Sequence, residues 1–217
     1  MTLKVLLTAT AVIFSASAFA QDISFGVKAG VNFSKFSEKI EGEKANDYAK
    51  SKPGICLGAY ADYNFTDMFA LEAGLQFEQK GGKYEFSEDD VKEVDKTNIN
   101  YFTIPVNFRA NFAVNDNNAY FLVGPTFGIG LSGKYKSEYT EDGETETDDG
   151  SLKFGDDEES DCHRMNVGFL LGAGFEMSNN IGFRLSYEIG LSNLQPKGDS
   201  KNSTKTGVLG LAVTYKF

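Results

Sequence analysis

Several things are scarce in this chain, and each shortage excludes something. A single His and two Cys leave no multi-His metal centre and no disulfide-rich scaffold. Positive charge is the minority: 21 Lys and Arg stand against 31 Asp and Glu, a net charge of −10. Phosphate backbones need clustered basic residues, so nucleic acid is excluded as a partner. Pro is rare (4), and beyond residue 20 no apolar run is long enough for a membrane helix. What is abundant is Gly (23) and aromatic side chains (13%), all of them Phe or Tyr. That mixture favours strands and turns over helices. The 217 residues suit one domain.

The N-terminus reads as an export signal. Met1-Thr2-Leu3-Lys4 is a short basic start, Val5 to Phe14 an apolar run, and Ala18-Phe19-Ala20 a small-residue cleavage pattern before Gln21. Residues 1–20 are the expected signal peptide and 21–217 the mature domain. No Cys follows the cut, so no lipid anchor is expected there.

Beyond that point the hydrophobic period is two. Eight segments alternate apolar and polar side chains, within 23–33, 55–63, 69–78, 102–111, 121–132, 164–176, 181–191 and 209–217. In the first, Ile23, Phe25, Val27 and Val31 alternate with Ser24, Gly26, Lys28 and Gly30. The connections alternate too. Those at 66–67, 113–118 and 178–180 are short, whereas those around 37–52, 81–98, 133–162 and 194–205 are long and polar. Short turns at one end and long loops at the other are the layout of an eight-stranded antiparallel outer-membrane β-barrel, with both termini on the periplasmic side.

Volume decides which face is outside. An eight-stranded barrel has an interior just wide enough for side chains to fill. The bulky Phe, Leu, Ile and Tyr of the apolar face would not fit there. The polar face is rich in Gly, which leaves room for a few long charged side chains. The apolar face therefore meets lipid. Closure follows, because an unpaired strand edge in lipid leaves backbone groups without partners. Tyr63, Phe65, Phe112, Phe121, Tyr187 and Tyr215 sit near segment ends, where interfacial girdles belong.

The chain resembles the porin-like, PorT-like outer-membrane β-barrel family of Gram-negative bacteria. The resemblance rests on Tyr101-Phe102-Thr103-Ile104-Pro105-Val106, Val123-Gly124-Pro125, Leu171-Gly172-Ala173-Gly174-Phe175-Glu176 and Arg184-Leu185-Ser186-Tyr187-Glu188-Ile189-Gly190-Leu191. It implies an integral outer-membrane barrel. The ending Val213-Thr214-Tyr215-Lys216-Phe217 resembles the aromatic C-terminal signal read by the outer-membrane assembly machinery, with Tyr215 and Phe217 carrying it.

Parity turns Lys28, Glu72, Glu78, Arg109, Arg164, Glu176, Arg184, Glu188 and Lys216 inward. Two roles fit: a plug of mutually paired charges, or the selectivity filter of a narrow channel for small solutes. The plug is the preferred reading, and it makes the chain a structural or surface-interaction barrel. From Glu138 to Asp161 twelve acidic residues accompany a single Lys153. Asp148, Asp149, Asp156, Asp157, Glu158 and Glu159 could hold Ca²⁺ or Mg²⁺ weakly. Their spacing lacks the order of a calcium loop, so a solvated, mobile surface loop is expected instead. Cys56 and Cys162 lie inward on strands across the barrel from each other. A bond between them would require the loop to fold into the mouth. His163 points outward near the rim and Ser160 inward, without a nucleophile motif. A lipid-modifying enzyme is therefore the weakest of three functional readings. Neither a metal nor a cofactor is expected. Membrane lipid and the assembly machinery are the expected partners, with an extracellular ligand undefined.

Overall fold

The computed structural model describes residues 23–44, 48–88, 91–157, 159–196, 198–199 and 201–217. The expected signal peptide and Glu158 lie outside the described residues. The strands run β1 (Ile23–Ile40), β2 (Glu43–Lys44), β3 (Ala49–Lys50), β4 (Lys52–Asn64), β5 (Phe69–Glu88), β6 (Val91–Val114), β7 (Asn117–Glu141), β8 (Glu144–Ser151), β9 (Met165–Glu176), β10 (Ile181–Gly190) and β11 (Ser203–Lys216). The neighbours β11-β10-β9-β7-β6-β5-β4-β1 are antiparallel, and β1 pairs with β11 from Gly26↔Lys216 to Lys39↔Ser203, which closes an eight-stranded barrel. The short β2, β3 and β8 decorate one end, on β1, β5 and β7 respectively.

The alternation divides lipid face from lumen as volume requires. Arg109 and Asp62 are 0% exposed, whereas Phe121 and Phe183, of opposite parity, are 60% and 55% exposed. Glycine makes the room inside. A Cβ on Gly26 would lie 2.3 Å from the Tyr60 ring, and one on Gly174 would lie 2.2 Å from the Tyr120 ring. At the short-turn end, edge-to-face pairs Tyr63–Phe65, Phe112–Phe121 and Tyr215–Phe217 form part of an aromatic girdle.

The long connections differ from the sequence reading. A spanning strand needs ~9–11 residues, yet β6 and β7 have 24 and 25. Most of the stretches read as loops at 81–98 and 133–151 are strand. They carry the β5–β6–β7 sheet past the membrane as a wall on one side of the barrel, with β8 as its outer edge. The acidic run is thus largely an ordered hairpin. It turns at Asp142-Gly143, both with positive φ (52° and 82°), as a two-residue hairpin turn demands. On the opposite side β9 and β10 have only 12 and 10 residues, so the rim there is low.

A bulge links barrel to wall. Tyr101 pairs with Gly130 and Asn100 with Ser132, which leaves Leu131 unpaired and reverses the parity of β7 beyond it. Ser132, inward by simple alternation, is consequently exposed, and Gly133 is buried.

The Tyr120 ring has little freedom to move, since Arg109 stacks 3.9 Å from its centroid and Arg184 Nε donates to its hydroxyl at 3.1 Å. Gly174→Val is expected to lower unfolding free energy by about 1–3 kcal/mol, the usual cost of overpacking. Urea titration of the refolded barrel, followed by heat-dependent gel mobility, measures it. An unchanged midpoint would mean that the lumen is looser than described.

Candidate functional site: the charged lumen

Two layers of ionised side chains cross the barrel. In the periplasmic layer Arg184 grips Glu72 with two parallel bonds, Nη1 to Oε1 at 2.8 Å and Nη2 to Oε2 at 2.6 Å. This fork geometry is the strongest carboxylate contact a side chain offers. Arg109 donates to Asp62 at 3.0 Å, to Glu176 at 3.1 Å and, through Nε, to Asn111 at 2.8 Å. Lys216 completes the layer at 3.4 Å from Asp62 and 3.7 Å from Glu176. The guanidinium of Arg184 also lies 5.1 Å from the Tyr60 ring centroid and 5.3 Å from that of Tyr120.

The extracellular layer centres on Lys80. Its ammonium lies 2.6 Å from Glu188 and 3.1 Å from Glu78, and 5.6 Å from the Tyr101 ring centroid. Asn32 donates to Glu78 at 3.5 Å. Lys28 is half-buried on the same inner wall, electrostatically close to Glu72 and Glu78. Taken together, Lys28, Lys80, Arg109, Arg184 and Lys216 oppose Asp62, Glu72, Glu78, Glu176 and Glu188, five charges against five. The inner wall around these charges is otherwise neutral and polar, with Gln76, Thr103, Asn107, Thr126 and Asn166 all buried.

Above the upper layer sits an apolar lid. The segment after β8 folds over the mouth, held by Leu152 N–H to Gly133 O (2.9 Å), Gly155 N–H to Cys162 O (3.1 Å) and His163 N–H to Leu194 O (2.8 Å). Cys162 and Leu194 pack there on Phe36, Ile99 and Tyr101, flanked by Leu152 and Phe154. A cleft of about 240 Å³ remains between this lid and the wall, bounded by Phe36, Tyr84, Ile99 and Leu194. The loop therefore enters the mouth, yet Cys56 and Cys162 are both free thiols. Cys56 faces Glu78 (Sγ to Oε1 3.9 Å) while Cys162 donates to the carbonyl of His163 (3.3 Å).

Lys28, Glu72, Arg109, Glu176, Arg184 and Glu188 thus share one interior. Arg164 does not join them: it is exposed at the low rim, where its guanidinium stands 5.2 Å from the Phe154 ring centroid. His163 is half-buried at the rim, and its Nδ1 lies 2.5 Å from Asp156. Ser160 donates instead to Asp157, so no His–Ser pair forms. Asp148 and Asp149 lie on opposite faces of β8, and Glu159 is exposed in the lid segment. Among the described residues no group of three or more His, Cys, Asp or Glu could hold a metal ion. Tyr215 and Phe217 stack edge to face beside the β1–β11 seam, where the Phe217 N–H donates to Phe25 O at 2.8 Å.

Lys80, Asp62 and the inward Tyr60, Tyr101 and Tyr120 were not singled out from sequence. Parity carried two residues past Glu78 reaches Lys80, but Gly81-Gly82 there breaks the apolar alternation. Leu122 and Leu170 also face inward, packing on Tyr120 against the polar pattern.

Buried ions cost several kcal/mol to desolvate, and only complete pairing offsets that cost. Lys80→Met would leave Glu78 and Glu188 facing each other unneutralised, and is expected to cost about 3–5 kcal/mol in urea unfolding. Lys80→Arg should recover most of it. A Met variant as stable as wild type would contradict the pairing. On the outer side of the wall, Lys136 and Lys96 stand 2.6 and 3.0 Å from Glu138 and hold its carboxyl down at about 2. With the folded value depressed, this pairing is intact above the ordinary carboxylate range and lost as pH falls through about 2. Carboxyl NMR should place the Glu138 midpoint near 2, and the Lys96→Met/Lys136→Met double variant should return it towards ~4.3.

A family model described as an outer membrane protein beta-barrel domain matches residues 19–195. No curated protein matches the chain. Among solved structures it is similar to Ail, the attachment invasion locus protein of Yersinia pestis, at 18% identity and a TM-score of 0.40, covering 91% of this chain and 100% of that one. It is also similar to the outer membrane protein OprG from Pseudomonas aeruginosa, at 14% identity and a TM-score of 0.46, covering 90% and 96%. The match to the family model spans most of the chain, and with the closed eight-stranded barrel it places this protein in the outer membrane β-barrel domain family.

Proposed function

We propose that this protein is a non-conducting outer-membrane barrel of a Gram-negative envelope, a structural or surface-interaction member of the porin-like, PorT-like group. The charge-balanced lumen is its plug, and its interactions occur at the extracellular wall. It reaches the membrane after cleavage behind Ala20, with Tyr215 and Phe217 read by the assembly machinery, and it sits among membrane lipids without a cofactor. One observation carries the reading: ten charged side chains balance five against five across one narrow lumen, and all but Lys28 lie within ion-pair distance of a counter-charge. A filter would present charge of one sign to a passing ion. Here the carboxylates are already occupied by Arg and Lys. The reading assigns no catalytic role to His163, whose ring engages Asp156.

Planar-bilayer recording of the refolded chain tests it. Wild type should be silent, and the Arg109→Ala/Arg184→Ala double variant, with both guanidinium groups gone, should pass discrete single-channel currents. Steady large currents from the wild type would overturn the plug and favour the channel.

A further inference from the structure

The wall above the membrane has two chemically different faces. Across β5, β6, β7 and β8 the register aligns Phe86, Glu93, Tyr139 and Glu146 in one row and Tyr84, Asp95, Ser137 and Asp148 in the next. These rows continue the lumen wall, so they face the space over the mouth. Aromatic rings and carboxylates alternate there, and neither row holds a Lys or Arg. The opposite face carries the lysines: Lys83, Lys92, Lys96, Lys134 and Lys136. Several are paired with Glu85 or Glu138.

Two clefts open on the inner face. One, of about 410 Å³, lies between Tyr48, Tyr84, Phe86, Glu93 and Asp95, with the Tyr48 and Phe86 rings edge to face at 5.3 Å. The other, of about 510 Å³, is bounded by Tyr139, Glu141, Glu144 and Glu146. Tyr48 and Tyr139 are 53% and 40% exposed outside the membrane, where no lipid covers them. Among the described residues no cation pairs with Glu93, Asp95, Glu144, Glu146 or Asp148. A ring beside an unpaired carboxylate is the chemistry that takes a guanidinium or an ammonium, through cation–π contact and ion pairing together. The outer edge of the wall is also open, since β8 pairs with β7 alone among the described residues. Natural edges are commonly guarded with Lys. This one presents acids instead, which would repel acidic strands and attract basic ones.

We propose that the inner face of the wall, with the β8 edge, docks an extended polypeptide segment bearing Arg or Lys. The proposal rests on the surface-interaction reading above and names the chemistry of its partner. The segment adds to β8 as a strand, and its inward side chains lie across Glu144, Glu146 and Asp148 towards Tyr139. Carboxylates give the charge match, the ring gives a surface for the guanidinium or alkyl stem, and the edge gives backbone pairing that a free polyamine cannot use.

The test is fluorescence anisotropy of a labelled oligo-arginine peptide with the refolded full chain in zwitterionic nanodiscs at physiological ionic strength. Saturable binding is expected. Glu146→Gln/Asp148→Asn and, separately, Tyr139→Ala should each weaken it by about tenfold or more. Asp149→Asn, on the outer face of the same strand, should change it less than about twofold. Absence of saturable binding, an equal loss from Asp149→Asn, or displacement by spermine at matching charge concentration would each overturn the proposal. Conductance of the same sample separates the two readings. A silent barrel that ignores the peptide removes this docking surface alone, whereas a conducting barrel removes the plug.

Discussion

The structure depends on mutual neutralisation of charges shut inside a narrow barrel. With lipid outside and eight strands around the lumen, most of the ionised side chains are shut off from bulk water and cannot spread apart. Most find their counter-charge on another strand. Arg184 on β10 reaches Glu72 on β5 across the lumen, Arg109 on β6 joins Asp62 on β4 to Glu176 on β9, and Lys80 on β5 meets Glu188 on β10. These bonds tie strands that are not neighbours in the sheet. The network therefore holds the barrel's cross-section as well as filling it. The glycines that thin the wall opposite Tyr60 and Tyr120 exist on the same account, because the stacked rings that orient the two guanidinium groups need that space.

Above the membrane the same inner wall changes character. Its Lys and Arg residues end with Lys80, and beyond that point the inward positions of β5 to β8 carry rings, carboxylates and small or uncharged side chains. Charge is sorted by face: the lysines lie outward, where they pair with Glu85 and Glu138, and the inward carboxylates lie beside rings with no Lys or Arg among them. An apolar cluster, with Cys162 and Leu194 of the lid packed on Phe36 and Ile99 of the wall, divides the paired lumen from this unpaired surface. One barrel thus carries two electrostatic regimes, satisfied below the lid and unsatisfied above it.

Much of this was legible from period-two alternation. Strand number, closure, lipid face and most inward charges follow from parity and from the volume of Phe and Leu. Three features were hidden. The wall was concealed because a sheet standing clear of lipid needs no continuous apolar face: its few apolar residues, such as Phe86, Val94 and Tyr139, are scattered among charges, so 81–98 and 133–151 read as loops. Asp142-Gly143, a strong hairpin-turn pair, lay unnoticed inside the acidic run. The Leu131 bulge reversed parity without a local mark in the sequence. Arg164 was misplaced because the 152–164 segment leaves the sheet, where alternation has no meaning. Lys80 was missed at the point where Gly81-Gly82 interrupts the pattern, although its parity is that of Glu78.

The most direct measurement of the central claim is a double-mutant cycle on Glu72 and Arg184 by reversible urea unfolding in bilayers. If the lumen is held by mutual neutralisation, Glu72→Ala and Arg184→Ala will each cost more than their share of the double variant, with a coupling energy of about 2–3 kcal/mol. Effects that add to within ~0.5 kcal/mol would contradict it, and would mean that each side chain is solvated independently in an open lumen.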